Sequence, residues 1–206
     1  MLKKGDFVCI FTGSSLPKDT SIVDAAVLLS KGIAERGYGL VYGGGNSGLM
    51  GIVSSGVGKN GGKVVGVIPR ALIKKEAPES AEKVEMETII VHDMHARKRK
   101  FLEYGKAFVI LPGGVGTFEE FLEFTTWSVL GIHDKPIVVL NTNGFYNPMK
   151  EMLKNAVDMG FLSSGNSSVI VFVDTPEEVL DCIETYVAPT SRYKLDWSDM
   201  RKEHFV

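Results

Sequence analysis

Short runs of apolar, often β-branched residues alternate along this chain with segments whose apolar positions recur every three or four residues. The runs at 6–12 (DFVCIFT), 39–42, 63–68 (KVVGVI), 85–91, 107–111 (AFVIL), 136–140 and 168–173 read as strands. Between the first two, Asp19 or Thr20 can cap a helix in which Ile22, Ala26, Leu29 and Ile33 share one face and Gly37 is the stop. Further helices are predicted over 47–59, 92–104, 117–130, 147–159 and 175–186, with 79–83 polar and ambiguous. Strands that are apolar throughout, alternating with helices, imply a parallel sheet covered on both faces. The expected fold is therefore α/β: a single-domain Rossmann-like, doubly wound sheet over 1–187, followed by a polar tail over 188–206. Ligands bind such sheets outside the carboxyl ends of the strands.

Composition narrows the function. The chain has 206 residues, 44% of them apolar and 23% charged, with a formal charge of −2. Non-specific nucleic-acid binding needs a large basic excess, so it is not expected. Cys9 and Cys182 sit in apolar runs without C-x-x-C spacing, which argues against a disulfide framework and for a reducing, cytoplasmic setting. The first six residues carry the charges of a signal peptide, but the apolar run at 7–11 is too short for its hydrophobic core. No run approaches the length of a membrane span, so no membrane partner is expected. The unusual quantity is 23 glycines, about one residue in nine where about one in fourteen is ordinary.

The glycines cluster at strand ends. Gly13-Ser14-Ser15 follows the first strand, Gly43-Gly44-Gly45-Asn46-Ser47-Gly48 the second, and Pro112-Gly113-Gly114-Val115-Gly116-Thr117 the run at 107–111. Glycine lets main-chain N–H groups approach an anion closely, and the helix opening at Thr117 would add its dipole and a hydroxyl. A tight capped turn would not need three glycines in four positions, so this loop reads as an anion site. The 43–48 loop matches G-x-G-x-x-G but follows the second strand, and no acidic residue lies about 20 positions on. It reads as a second wall of a phosphate site, with a plain strand–helix junction left open.

Charged residues border these loops. At about 100° per residue, Phe118, Phe121, Leu122, Thr125 and Val129 form one helix face, expected to meet the sheet. Glu120 falls near Thr117, whereas Glu119 points elsewhere. Phe124 and Trp127 form a second apolar stripe with no evident partner inside the monomer, which suggests a homodimer. Arg97 shares a half-apolar face with Met94, Lys98 and Phe101, near a strand end, and suits an anionic ligand. His92 and His95 lie three apart without a third ligand of suitable spacing, so no metal site is expected.

The run Pro112 to Glu120 (PGGVGTFEE) resembles the P-G-G-x-G-T-x-x-E motif of the LONELY GUY family, the cytokinin riboside 5′-monophosphate phosphoribohydrolases. Met94-His95-Ala96-Arg97-Lys98 resembles that family's M-H-x-R-K element, and the likeness extends over roughly residues 6 to 185. Thr12 departs from it, standing where cysteine is frequent. The resemblance implies hydrolysis of the N-glycosidic bond of a nucleoside 5′-monophosphate, with Arg97 and Glu120 at the catalytic positions and no cofactor. Gly13, Ser14, Gly44, Gly45, Met94, Lys98, Gly113, Gly114, Gly116 and Thr117 are the implied substrate- and phosphate-binding set. Related sequences also carry an older lysine decarboxylase label, but no lysine here stands out for a Schiff base. Three other readings stay open: a nucleotide-binding module without catalysis, an NADP-type oxidoreductase using 43–48 with Arg70, and an interaction scaffold.

Overall fold

A computed structural model describes residues 2–76 and 85–198. The elements run β1 (Phe7–Phe11), α1 (Thr20–Glu35), β2 (Gly39–Tyr42), α2 (Gly48–Lys59), β3 (Val64–Pro69), α3 (Ile73–Glu76), β4 (Glu87–Val91), α4 (Met94–Tyr104), β5 (Gly105–Ile110), α5 (Val115–Val129), β6 (Ile137–Leu140), α6 (Asn147–Asp158), α7 (Ser164–Ser167), β7 (Ile170–Val173) and α8 (Pro176–Thr185). Every strand pair is parallel, in the order β4-β3-β2-β1-β5-β6-β7. The expected doubly wound α/β fold is the one observed. The strand order reverses between β1 and β5, which opens a crevice at the carboxyl ends of these two strands.

The period of two in β1 shows how both faces are buried. Val8 and Ile10 join α1, α2 and α8 through Ile22, Val53 and Val179 on one face. Cys9 and Phe11 join α4 and α5 through Phe101, Phe121 and Phe124 on the other. Of the two caps foreseen for α1, Asp19 is the one used: its carboxylate accepts the Ser21 N–H at 3.0 Å. Gly37 takes φ +79°, the left-handed geometry of a helix stop. β1 and β2 end together, with Ile10 beside Tyr42, and β1 and β5 end together, with Phe11 beside Ile110. The three glycine loops therefore emerge side by side.

Several expectations change. β3 runs one residue beyond the expected 68 and ends on Pro69, which pairs alongside Val91. The short helices α3 and α7 were not foreseen, and the ambiguous stretch 79–83 lies outside the described residues. Helix α5 starts two positions earlier than the sequence suggests, and the face that it buries is also different. Thr117, Phe121, Phe124 and Ser128 point inward, while Leu122 is 43% exposed. Phe124 is 0% exposed. Its ring lies 4.3 Å from that of Phe108 and 5.0 Å from that of Phe11, with Trp127 packed on it at 4.9 Å. The stripe of Phe124 and Trp127 is thus part of the chain's own core and gives no ground for a dimer. The sheet beneath supplies aromatic partners, which the spacing on the helix alone could not show. A similar change of phase affects α4: Ala96, Arg97, Lys98 and Phe101 are buried, whereas Met94 is partly exposed.

The tail turns back onto the domain. Tyr193 N–H donates to Val129 O at 2.9 Å, the Arg192 guanidinium to His133 O at 2.7 Å, and Trp197 Nε1–H to Leu130 O at 2.9 Å. Residues 188–198 therefore satisfy carbonyls at the carboxyl end of α5, groups that a helix end leaves without intrahelical partners.

Candidate active site

The three loops are tied to one another. Gly13 N–H donates to Pro112 O at 3.2 Å, Met50 N–H to Gly13 O at 3.2 Å, and Ser47 Oγ–H to Ser14 O at 3.4 Å. Thr12 Oγ1–H adds a second bond to Pro112 O, at 3.1 Å. Close backbone approach explains several glycines. A Cβ on Gly113 would come within 2.2 Å of Thr117 Oγ1, and one on Gly48, at φ +59°, within 2.3 Å of the Ser14 carbonyl carbon. The Tyr146 hydroxyl supports the third loop from below by donating to Leu111 O at 2.8 Å. In turn, Tyr146 N–H is held by the Asn141 carboxamide at 2.7 Å.

Helix starts around the sheet fall into two groups. α1, α4 and α8 carry side-chain caps at Asp19, Asp93 and Thr175. α6 starts at Tyr146 without a side-chain cap bond. So do α2 and α5, which open directly from the loops at 43–48 and 112–117, at Ser47 and Gly114. Their first N–H groups keep the partial positive charge of the helix start, which attracts anions. Among the described residues, a Cβ on Gly114 or Gly116 would meet nothing within 4 Å. The start of α5 thus faces open space lined by main-chain amides, with Thr117 buried just behind it.

Arg97 approaches from α4. It is 5% exposed, lies over the Phe101 ring at 5.5 Å, and donates through Nη2 to Gly43 O at 2.9 Å. A Cβ on Gly43 would lie 2.3 Å from that nitrogen, so glycine at 43 makes room for the guanidinium. Gly44, at φ +78°, packs on Gly66 and Ile68 of β3, and Gly45 is buried beside it. Glu120 stands one turn into α5, half-buried. Both charges act on one atom. The Cys9 thiol is pushed well above its usual pKa by burial first and then by Glu120, and is pulled back by Lys135 and Arg97. Arg97 and Glu120 are thereby both within electrostatic reach of the middle of β1, one from α4 and the other from α5.

Of the other expected contacts, Ser14 and Gly13 sit at the loop junction. Met94 opens α4 with its side chain partly exposed. Lys98 is placed differently. It is 6% exposed, and its ammonium meets Glu119 at 2.7 Å and also Glu123. Burial acts to lower its pKa, yet the hydrogen bonds to Glu119 and Glu123 outweigh this and leave it raised.

A parallel α/β sheet wound on both faces, with three glycine loops at its switch point, defines a Rossmann-like protein. The comparisons with known proteins agree. Residues 50–183 match the family described as "Possible lysine decarboxylase". The chain is 42% identical over 199 residues to the cytokinin riboside 5′-monophosphate phosphoribohydrolase LOG of Oryza sativa subsp. japonica, covering 97% of this chain and 81% of that one. It is 43% identical over 192 residues to LOG3 of Arabidopsis thaliana, which bears the same functional name, covering 92% and 88%. The chain belongs to this LOG family of phosphoribohydrolases, whose members are named for hydrolysis rather than decarboxylation. Among solved structures, the molybdenum cofactor binding protein of Rippkaea orientalis superposes with a TM-score of 0.65 at 19% identity, covering 90% of this chain and 98% of that one. That likeness concerns the fold alone.

Proposed function

We propose that the protein hydrolyses the N-glycosidic bond of a nucleoside 5′-monophosphate, either a cytokinin riboside 5′-monophosphate or AMP, to free base and ribose 5-phosphate. The observation that carries this reading is the uncapped, open start of α5 at the junction of three glycine loops, with Arg97 and Glu120 on the two helices that flank it.

In this reading, the amides of 114–117 and the loops at Gly13-Ser14 and Gly44-Gly45 hold the 5′-phosphate. Binding energy from that remote group positions the sugar. As the C1′–N bond breaks, its electron pair leaves with the base and positive charge grows on the ribose. The Glu120 carboxylate stabilises that charge, holds the ribose hydroxyls and orients water for attack at C1′. The water oxygen forms the new C1′–O bond. One proton is lost to solvent through the carboxylate and the departing base gains one, so the overall reaction consumes a single water. Arg97, anchored on Gly43 O, offsets negative charge on the leaving base. The free thiols Cys9 and Cys182 support a reducing, cytoplasmic setting. Among the described residues no helix is long and apolar enough to cross a membrane.

The test is product analysis after incubation with AMP and with isopentenyladenosine monophosphate. Wild type is expected to release free base, and Glu120→Gln to lose turnover by at least about 100-fold while binding AMP normally. Full turnover in Glu120→Gln would remove the carboxylate from the mechanism. Binding of AMP without base release would favour a nucleotide-binding module instead.

A further inference from the structure

Arg97 and Lys98 are neighbours on α4 but face different tasks. The Arg97 guanidinium reaches the loop after β2, whereas the Lys98 ammonium leaves α4 and reaches α5. There it meets Glu119 and Glu123, which are four apart and so share one face of that helix. Glu120 lies between them in sequence, about 100° around the helix from Glu119. Glu119 is about half exposed and Glu123 less so, whereas Lys98 is almost fully covered. A single covered ammonium held by two carboxylates fixes both the rotation of α5 and its distance from α4. Placement of the two groups proposed to do the chemistry depends on that geometry.

We propose that Lys98 is a positioning residue. By bridging Glu119 and Glu123 it locks α5 against α4, and so sets the placement of Glu120 relative to Arg97, instead of holding the substrate phosphate itself. This inference rests on the proposed reaction for its catalytic readout. It assigns a task to Glu119 and Glu123, which the mechanism leaves unused. It also accounts for a cation in the M-H-x-R-K element whose charge is already matched within the protein. The ammonium and both carboxylates form one unit, so effects of changing them should be strongly non-additive.

Two variants separate positioning from phosphate binding. The charge-balanced pair Lys98→Met with Glu123→Gln cuts the brace without altering the net charge near the site. It is expected to lower kcat for AMP by on the order of 10- to 100-fold, the effect of a misplaced catalytic group. Its KM should stay within about twofold of wild type, because the phosphate grip is retained. Lys98→Arg can still bridge two carboxylates and should keep kcat within about threefold of wild type. Amide hydrogen exchange across 117–129 should quicken in the charge-balanced pair and not in Lys98→Arg. A KM raised tenfold or more with kcat unchanged would overturn the proposal and make Lys98 a phosphate ligand. No change in either constant would overturn it as well. If wild type releases no base from any nucleotide, it is the proposed reaction that fails. The brace is then judged by exchange alone, and unchanged exchange across α5 refutes it.

Discussion

The two ends of α5 are built in opposite ways. At its amino end the helix starts on Gly114 without a side-chain cap, and Gly114 and Gly116 face open space among the described residues. At its carboxyl end, Val129, Leu130 and the following turn at His133 are bonded by Tyr193, Trp197 and Arg192 from a segment about 60 residues away in sequence. Both ends of any helix present main-chain groups without intrahelical partners. Here one set is satisfied by the chain itself and the other has no side-chain cap, as the proposed phosphate grip requires. The carboxyl end anchors the helix, and the amino end can then keep its amides directed at a ligand without collapsing onto neighbouring side chains. The side-chain caps on α1, α4 and α8 show that bare starts are not general in this fold, although α6 shares one with α2 and α5.

This contrast can be broken at either end, and the largest effect is expected at the open one. Gly116→Ala places a methyl where the fold has room but a bound phosphate would not. The variant is expected to raise KM for AMP about tenfold or more, a loss of about 1.4 kcal/mol or more, while the fold gains about 0.5–1 kcal/mol from helix propensity. A higher KM together with higher thermal stability is the diagnostic outcome. Equal KM values would mean that no ligand approaches this turn.

At the anchored end the prediction is reversed. Removing residues 192–206 deletes the bonds to Val129, Leu130 and His133. Each bond is worth about 1 kcal/mol, so Tm should fall by roughly 6–12 °C. KM for AMP is expected to change less than about threefold. A large rise in KM with unchanged Tm would contradict the division of roles.

The smallest effect concerns His133, packed at the same end. Its Nε2–H donates to Phe124 O at 3.0 Å and its Nδ1 accepts the Lys135 N–H at 3.2 Å, so the buried ring is neutral. Burial lowers its pKa from 6.5 to about 4. The unfolded chain therefore binds more protons than the folded one between these values. The contribution of His133 is complete above pH 6.5 and is lost as pH falls towards 4, with a slope of at most about 1.4 kcal/mol per pH unit. His133→Gln should flatten that acid limb in denaturation midpoints measured from pH 7 to 4. An unchanged slope would remove His133 as its source.

The fold was largely legible in the sequence because its signals are local. β-branched runs, Asp19, Gly37 and the three glycine loops each act within a few residues, and the structure places them as their chemistry suggests. What was not legible depends on distant partners. Phe124 looked unpartnered because Phe11 and Phe108 lie on strands, out of view of any helical wheel. The pairing of Lys98 with Glu119 and Glu123 was hidden because those carboxylates are more than 20 positions away. The docking of Tyr193, Arg192 and Trp197 uses isolated donors in a polar tail, a pattern without periodicity. Arg97 was legible as a candidate site residue. Its anchor on Gly43 O was not, because that contact depends on how β2 and α4 meet.

The measurement that addresses the central claim most directly is the ratio of kcat/KM for AMP to that for adenosine, which differ only in the group proposed to sit on the start of α5. The bare amides there, with the loops at Gly13 and Gly44, should make AMP better by at least about a thousandfold, some 4 kcal/mol of transition-state stabilisation. Equal values for the two substrates would contradict the claim that these main-chain groups grip a phosphate.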